Sequence, residues 1–330
     1  MTRPVPMVEI LRGDFVESRH EGHAAITCAD GGIVEAWGDP GMVILPRSSA
    51  KMLQALPLLE SGAGAGLSTE QLALACASHS GERRHVLLVN RWLTALGLDD
   101  SALLCGPQPS RDPEHRLWMD RAGREVTRVY NNCSGKHAGF LTLAKHLGAG
   151  PDYVDQEHPV QRAVRQAIEE TCDEESPGLG IDGCSAPNFA VSLAGLARAM
   201  ARFASAGGSG GVRDVAMSRL VDAMIAHPDL VSGQGRACAA LMDSAREPLA
   251  VKTGAEGVYV AILPERKLGI ALKIADGATR ASEVAMAALL ARLGAIAESH
   301  PVLNRDIRNW DGLATGVVRP VAGLGTPPRG

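Results

Sequence analysis

A serine and a lysine stand three residues apart in the segment Arg47-Ser48-Ser49-Ala50-Lys51. If a helix begins near Ser48, the residue three positions further on lies over the same face, so the two side chains would be neighbours. A serine hydroxyl becomes a nucleophile when a base removes its proton, and a desolvated lysine amine is such a base. The positive end of a helix also favours a developing anion. Because both residue types are common, the same spacing is also typical of an ordinary surface helix start.

A second lysine lies in Lys252-Thr253-Gly254, at the end of a predicted strand. Most such tripeptides are simply strand ends. Together, however, the S-x-x-K and K-T-G patterns are those of penicillin-binding proteins and class A β-lactamases, in which an edge strand carries the second lysine towards the serine. The S-D-N pattern of the same set is absent from the chain. A functional and a purely structural interpretation therefore both stay open.

The segment CASHSGE at residues 76–82 is a polar turn that closes an apolar helical stretch. Serines in such a turn commonly serve as helix caps. Ser80 could instead supply a second hydroxyl for Lys252 to activate. The sequence of this turn does not decide between the two roles.

Two cysteines lie in polar, glycine-bearing segments, Cys133 in NNCSGKH and Cys184 in IDGCS. Thiolates are good zinc ligands, but the C-x-x-K spacing of Cys133 and Lys136 is not that of a zinc finger. Ligand statistics alone therefore favour a buried pair of thiols over a metal site. The chain also lacks the H-E-x-x-H, G-x-G-x-x-G and G-x-x-x-x-G-K-[ST] patterns, so metalloprotease, dinucleotide and P-loop functions are not indicated.

The composition is that of an ordinary soluble protein. The 330 residues are 45% hydrophobic and 21% charged, with a net charge of −4 and no basic stripe, so we expect no nucleic-acid partner. No apolar run reaches the roughly 18 residues of a membrane helix, and the first residues lack an apolar signal segment, which predicts a cytoplasmic protein. The seven cysteines are an odd number and widely scattered, which predicts reduced thiols.

Strands are predicted near the two ends of the chain and helices between them. Apolar runs bounded by turn residues predict strands over residues 7–11, 23–28, 33–37, 249–252, 257–263 and 268–274. Helices are predicted over residues 50–60, 84–97, 158–171, 191–206, 213–226 and 281–298. Two further helices are predicted, one after the capping-box pattern at 68–71 and one after the strand end and tight Asn/Gly turn in VYNNCSGKHAGFLTLAKHL. Residues 106–125 and 177–188 are predicted loops, and residues 323–330 a frayed end. This order predicts an α+β fold in which both chain ends share one antiparallel sheet.

Six sequence blocks resemble the rhizobial asparaginase family, which is related in fold to serine β-lactamases and glutaminases. They are PRSSAKMLQ, CASHSGE, NNCSGKHAGF, GIDGCSAPN, HPDLVSGQGR and VKTGAEGVY, in family order across residues 46–259. The resemblance implies one β-lactamase-like domain over residues 1–330, in which a mostly helical subdomain could occupy the middle of the chain. It implies an L-asparaginase (EC 3.5.1.1) that converts L-asparagine to L-aspartate and ammonia, and a homodimer.

The resemblance also assigns roles to individual positions. It implies two catalytic pairs, Ser48 with Lys51 and Ser80 with Lys252, of which we expect Ser48 to be the nucleophile that forms an acyl-enzyme. A Zn²⁺ ion would be held by Cys133, Lys136 and Cys184, with water as a fourth ligand. Asp182 would receive the α-amino group of the substrate, and Arg47 and His137 would line the pocket. A lysine can ligate a metal only as the neutral amine, because the ammonium form has no lone pair.

Two other functions remain as alternatives. A penicillin-interacting serine hydrolase would use the S-x-x-K and K-T-G patterns, but the missing S-D-N pattern and export signal oppose it. A zinc- or thiol-based redox sensor would use Cys133 and Cys184, but it would leave both serine–lysine pairs without a role. The preference for asparagine over glutamine does not follow from the sequence, since one methylene is worth only about 1–3 kcal/mol in a pocket.

Overall fold

The computed structural model describes residues 3–326. The chain divides into two compact units. The sheet unit contains the residues up to Ser49, Ser192–Ser205 and the residues from Ala240 onward. The helical unit contains Ala50–Val191 and Ala206–Ala239. None of the helices in the described part of the chain is long and apolar enough to cross a membrane.

Twelve strands are formed by the described residues. They are Val5–Arg12 (β1), Phe15–Cys28 (β2), Ile33–Trp37 (β3), Val43–Ile44 (β4), Leu179–Ile181 (β5), Pro187–Phe189 (β6), Val191–Ser192 (β7), Ala250–Thr253 (β8), Val258–Leu263 (β9), Leu268–Ile274 (β10), Arg305–Arg308 (β11) and Ala314–Pro320 (β12).

Eleven α-helices accompany them within the same residues. They are Lys51–Glu60 (α1), Thr69–Ala75 (α2), Arg83–Ala95 (α3), Pro113–Arg121 (α4), Ser134–His146 (α5), Pro159–Cys172 (α6), Leu193–Ser205 (α7), Val212–Ala226 (α8), Pro228–Val231 (α9), Ala237–Asp243 (α10) and Thr279–Arg292 (α11).

The sheet unit is built on one antiparallel sheet made from both ends of the chain, which confirms the predicted α+β arrangement. Its strand order is β11-β12-β1-β2-β10-β9-β8, with β3 also paired to β2. The long strand β2 pairs with β10 along one edge, while β1 and then β3 share its other edge. Helix α7 packs against β2, β9 and β10, and α11 packs against β1, β9, β10 and β12. The sheet therefore holds β8, and with it the K-T-G segment, at its edge.

Two buried helices, α1 and α5, lie at the centre of the helical unit. Nine of the ten residues of α1 are buried, and α5 is buried from Ser134 to Ala144. A helix that is buried on all sides belongs to a core and not to a surface. Helix α1 packs against α5, α6 and α8, and α5 packs against α2 and α3. Lys51, Lys136 and His137 are consequently carried by the most enclosed helices of this unit.

Most predicted elements are confirmed within a few residues, but both predicted loops are wrong. Residues 106–125 contain helix α4, whose N-cap Asp112 accepts a hydrogen bond from the Glu114 amide at 3.0 Å and whose first residue is Pro113. The segment is polar because only Met119 of this helix is buried. Residues 177–188 contain the short antiparallel pair β5–β6.

The C-terminal region also differs from the prediction. Helix α11 ends at Arg292, and the strands β11 and β12 beyond it were not predicted. Both have mixed burial patterns, so their sequences lack the continuous apolar run that marks a buried strand. The predicted strand end before Asn131 is a 3₁₀ turn, Arg128–Tyr130. In the predicted frayed end, Leu324 is buried, while residues 327–330 lie outside the described part of the chain.

Candidate active site

A tight turn in the sheet unit carries Ser48. Arg47 has a φ of +55°, a left-handed conformation that is uncommon for a non-glycine residue and costs about 1 kcal/mol or more. The amide and the hydroxyl of Ser49 both donate to the carbonyl oxygen of Pro46, at 3.2 and 2.7 Å, and close the turn. Arg47 and Ser48 are half-buried, whereas Ser49 is fully buried. The 3₁₀ turn Arg47–Ala50 runs directly into α1.

The K-T-G segment packs against this same turn. A Cβ atom added to Gly254 would stand 2.7 Å from the carbonyl oxygen of Pro46 and 3.2 Å from the amide nitrogen of Ser49. Only a glycine allows the backbone to come this close. Lys252, in β8, is fully buried, and its Nζ donates to the carbonyl oxygen of Thr253 at 2.7 Å. The structure thus places the S-x-x-K serine and the K-T-G strand end side by side within the sheet unit.

Lys51 is the first residue of α1 and is fully buried in the helical unit. Its Nζ donates to the carbonyl oxygen of Ala77 and, at 3.1 Å, to the hydroxyl of Ser78. The amine is therefore held against the CASHSGE turn. The hydroxyl of Ser78 had no predicted role and is the side-chain oxygen that Lys51 contacts.

Ser80 lies on the same turn and is directed towards another of the sequence blocks. Its hydroxyl donates to the carbonyl oxygen of Ser232 at 2.8 Å, and a Cβ on Gly233 would stand 1.8 Å from that hydroxyl oxygen. Gly233 has a φ of +123°, which also favours glycine. The Gln234 amide donates to the Glu82 carboxylate at 3.0 Å. Residues 78–82 and 231–234 thus form one packed pair of segments.

A histidine joins the CASHSGE turn to the NNCSGKH segment. The Gly81 amide donates to His79 Nδ1 at 3.1 Å, so the hydrogen of His79 lies on Nε2 and is donated to the hydroxyl of Ser134 at 2.9 Å. The Ser134 hydroxyl in turn donates to the carbonyl oxygen of Val129 at 2.8 Å. Burial, with the positive charges nearby, holds the pKa of His79 well below its usual value. His79 is therefore a neutral structural link.

The predicted metal ligands lie together in the interior of the helical unit. Cys133, Lys136 and Cys184 are all buried, and Lys136 Nζ donates to the sulfur of Cys184 at 3.1 Å. A hydrogen bond from Cys133 lowers the pKa of Cys184 to about 5, although burial opposes this shift. The same bond, together with burial, raises the pKa of Cys133 to about 12. Cys184 is therefore the more acidic of the two thiols.

Lys136 is the positively charged group beside Cys184. Burial lowers its pKa, but the negative charges of Cys184, Cys133 and Asp182 outweigh burial and raise the pKa above the usual lysine value. Asp182 also accepts a hydrogen bond from the Gly183 amide at 2.8 Å. The two sulfurs and the amine supply three converging donor atoms, a set that suits zinc once the amine has lost its proton.

His137 follows Lys136 on α5 and is fully buried. Its Nδ1 lies 2.9 Å from the hydroxyl oxygen of Tyr153, and its Nε2 has no hydrogen-bond partner among the described residues. Burial, together with the charge of Lys136, holds the pKa of His137 well below its usual value. The imidazole is therefore neutral. Neither Tyr153 nor Ser78 was identified from the sequence, because neither belongs to a recognisable spacing pattern.

Cys105 is a third thiol in this neighbourhood that the sequence did not indicate. It is buried, and burial, with the negative charges of Cys133 and Cys184 nearby, raises its pKa to about 12. Among residues 3–326, no group of three or more histidine, cysteine, aspartate or glutamate side chains is arranged to hold a metal ion. A metal ion bound by Cys133 and Cys184 would therefore need a donor of another type, and Lys136 is the one that the family resemblance implies.

A cavity of about 400 Å³ lies between α3 and α4 in the helical unit, and none of the predicted site residues lines it. Its walls include His115, Trp118 and Tyr130, whose rings stack on one another. Two of its lining residues are next to the motifs in sequence: Arg83 directly follows the CASHSGE segment, and Tyr130 directly precedes Asn131. The predicted catalytic chemistry therefore does not coincide with this cavity.

Comparison with known proteins gives a family and several structural neighbours. The sequence matches the model of the L-asparaginase II family over residues 8–320. No curated protein matches the chain. Similar solved structures include Mglu in its native form, at 13% identity and a TM-score of 0.48, covering 84% of this chain and 65% of that one. The chain thus spans about 65% of the length of Mglu.

Two further solved structures of similar fold are β-lactam-related proteins. One is a β-lactamase/D-alanine carboxypeptidase from Pseudomonas syringae, at 14% identity and a TM-score of 0.44, covering 81% of this chain and 92% of that one. The other is a class C β-lactamase from Rhodobacter sphaeroides, at 16% identity and a TM-score of 0.42, covering 79% of this chain and 91% of that one.

Proposed function

The chain belongs to the L-asparaginase II family, and on that premise we propose that it hydrolyses L-asparagine to L-aspartate and ammonia. The observation that carries the proposal is the packing of Gly254 on the Pro46–Ser49 turn, which brings the K-T-G strand end to Ser48. A serine hydrolase needs a hydroxyl, a base and a polarised carbonyl. The packing supports Ser48 as the source of the hydroxyl, and the family resemblance supports a lysine as the base. Membership of the family makes the substrate a small amide.

Ser48 is the proposed nucleophile and Lys51 its base. Ser48 lies in the turn that leads into α1, and Lys51 is the first residue of that helix. The Ser48 hydroxyl loses its proton to a lysine amine as its oxygen attacks the side-chain amide carbon of the substrate. The protonated lysine then returns the proton to the amide nitrogen, and the tetrahedral intermediate collapses with loss of ammonia. Water hydrolyses the resulting ester and releases L-aspartate and the free serine.

The other predicted residues have roles in substrate binding and in a second hydroxyl–amine pair. Asp182 would bind the α-amino group of the substrate, and Arg47 and His137 would bind its oxygen atoms. Ser80 and Lys252 remain proposed as the second pair, and each is buried within its own unit. The family resemblance supports these roles, together with a cytoplasmic homodimer. Sedimentation analysis of the purified protein would test the dimer.

Cys133, Lys136 and Cys184 are the residues that would hold zinc. Their buried sulfurs and amine are the right kind of donors, and the lowered pKa of Cys184, about 5, favours the thiolate that zinc binds. When bound, zinc would supply a positive charge that orients or polarises a ligand in its open position. Lys136 must lose its proton to become a ligand, so binding should release protons. Metal analysis of the purified protein and of Cys184→Ser tests this, and retention of zinc by the variant would contradict it.

Ammonia release tests the proposed activity. The wild-type protein should release ammonia from L-asparagine faster than from L-glutamine, and Ser48→Ala should lose several orders of magnitude in rate. Ser244→Ala is a matched control, because Ser244 lies outside the six sequence blocks and its hydroxyl donates to the Ala240 carbonyl oxygen. No ammonia from either amide would contradict the proposal.

Two further assays separate the alternative functions. The S-x-x-K and K-T-G patterns also favour a penicillin-interacting hydrolase, and hydrolysis of nitrocefin without ammonia release from amides would establish that function instead. The lowered pKa of Cys184 favours a redox sensor. Reversible oxidation of Cys133 and Cys184, in a protein that hydrolyses neither class of substrate, would support the sensor.

A further inference from the structure

The side chain of His137 has an unusual hydrogen-bonding balance. It is completely buried, yet its Nε2 has no partner among the described residues. A buried polar group without a partner costs about 1–3 kcal/mol. An unsatisfied buried polar atom calls for an explanation, and a role in catalysis or binding is one such explanation. Whether a partner in a bound molecule must be a donor or an acceptor depends on which nitrogen carries the hydrogen.

The hydrogen bonds of Tyr153 decide this. The Leu104 amide, which can only donate, lies 2.7 Å from the Tyr153 hydroxyl oxygen, and His137 Nδ1 lies 2.9 Å from it. Tyr153 is fully buried, and among the described residues its hydroxyl makes only these two hydrogen bonds. If Nδ1 carried a hydrogen, the phenolic hydrogen of Tyr153 would be a second buried group without a partner. The balanced arrangement runs from the Leu104 amide to Tyr153 and from the Tyr153 hydroxyl to Nδ1.

We propose that Tyr153 is a positioning residue that keeps His137 in the tautomer with its hydrogen on Nε2, so that His137 donates a hydrogen bond to an oxygen of the bound amino-acid substrate. This inference rests on the proposed function, which supplies a substrate bearing carboxylate and amide oxygens. The tautomer itself is a property of the free protein. It can therefore be tested without any substrate.

The tautomer of His137 determines what its Nε2 can bind. An Nε2 that carries a hydrogen can only donate, so its partner in a bound molecule must be an acceptor such as a carboxylate or amide oxygen. A hydrogen on Nε2 also removes the lone pair through which this nitrogen would otherwise ligate a metal ion. Tyr153 thus makes His137 a hydrogen-bond donor to the substrate and prevents its Nε2 from binding a metal ion.

The ¹⁵N resonances of the histidine rings measure the tautomer directly. In the wild-type protein, the ring that is absent from the His137→Gln spectrum should carry its hydrogen on Nε2. In Tyr153→Phe, which keeps the aromatic ring but loses the hydroxyl, that ring should shift towards the other tautomer or a mixture. Tyr130→Phe, another loss of a tyrosine hydroxyl in the same unit, should leave the His137 signals unchanged. A hydrogen on Nδ1 in the wild type, or an unchanged tautomer in Tyr153→Phe, would overturn the proposal.

Binding of L-aspartate tests the second part. Calorimetry should show Tyr153→Phe binding L-aspartate about tenfold to hundredfold more weakly than wild type, the loss expected for one hydrogen bond to a charged group. The wild-type His137 Nε2 resonance should also move when L-aspartate is added. Unchanged affinity in Tyr153→Phe would overturn the role in binding. If the wild type binds neither aspartate nor asparagine, the proposed function fails, and the binding role of His137 fails with it. The tautomer measurement needs no substrate, so it still decides whether Tyr153 positions the hydrogen of His137.

Discussion

Gly254 lies against Pro46 so closely that a Cβ on residue 254 would stand 2.7 Å from the Pro46 carbonyl oxygen. This relationship joins the K-T-G strand end to the turn that carries Ser48. The atoms that such a Cβ would meet, the Pro46 carbonyl oxygen and the Ser49 amide nitrogen, belong to the backbone, so they cannot rotate away as a side chain could. A larger residue at position 254 would have to move either the end of β8 or the turn.

Gly254→Ala should therefore damage activity more than stability. We expect overpacking to lower the free energy of unfolding by about 1–3 kcal/mol, and ammonia release to fall by at least about tenfold because the turn bearing Ser48 is displaced. Urea unfolding and steady-state kinetics measure the two effects. Gly207→Ala is the matched control, since a Cβ there meets nothing within 4 Å. Wild-type kinetics in Gly254→Ala would show that the contact does not position the site.

The contact between Gly233 and Ser80 gives a second prediction. Gly233→Ala should displace the Ser80 hydroxyl, because a Cβ would stand 1.8 Å from its oxygen, and should lower kcat. Gly235→Ala separates this clash from backbone strain, since Gly235 has a φ of +69° but open space around its Cβ position. In a Ser80→Ala background, Gly233→Ala should cost less further activity than in the wild type, because the shortest contact is gone while the contact with the Glu82 carboxylate at 2.6 Å remains. Fully additive losses would contradict a clash with the hydroxyl.

The metal-free protein should contain a thiolate at neutral pH. The pKa of Cys184 is lowered to about 5 by its hydrogen bond from Cys133. Ultraviolet thiolate absorbance should therefore be present at pH 7 and disappear as the pH falls through about 5. Cys184→Ser should lack this transition, whereas Cys172→Ser, which removes another buried thiol, should keep it. A transition that survives in Cys184→Ser would assign the thiolate to a different cysteine.

Two stacked histidines should make the fold sensitive to acid. The rings of His79 and His85 lie 4.9 Å apart, and burial lowers the pKa of His85 to about 3. Below pH 6.5 this histidine takes up a proton in the unfolded chain but not in the folded protein. Its contribution to the free energy of unfolding is therefore fully present above pH 6.5 and is lost as the pH falls towards 3. The expected loss is about 1.4 kcal/mol per pH unit for each such histidine. His85→Gln should reduce this slope by about 1.4 kcal/mol per pH unit, because one proton fewer is taken up on unfolding.

Urea unfolding at several pH values measures that slope. His146→Gln is the control, because His146 is exposed and should leave the slope unchanged. An identical slope in wild type and His85→Gln would mean that His85 binds its proton equally well in the folded and unfolded states.

The sequence predicted those features that depend on local patterns. Apolar runs located β8, β9 and β10, and the Ser68–Gln71 capping box located α2 within one residue. It missed α4, β11 and β12, because their few buried residues leave no periodic apolar signal. The motifs named the candidate site residues, but their surroundings come from tertiary packing. The contacts of Ser78 with Lys51 and of Tyr153 with His137 join residues 27 and 16 positions apart, which no spacing rule could connect.

Trapping the covalent intermediate tests the central claim, that Ser48 attacks the amide of L-asparagine. The enzyme is mixed with L-asparagine, quenched in acid during turnover, digested and mapped by mass spectrometry. We predict an aspartyl group on the peptide of the wild-type protein that contains Ser48. The same peptide should carry the group in Ser80→Ala, and the group should be absent from Ser48→Ala. An aspartyl group on Ser80, or ammonia release from L-asparagine that persists at the wild-type rate in Ser48→Ala, would contradict the account.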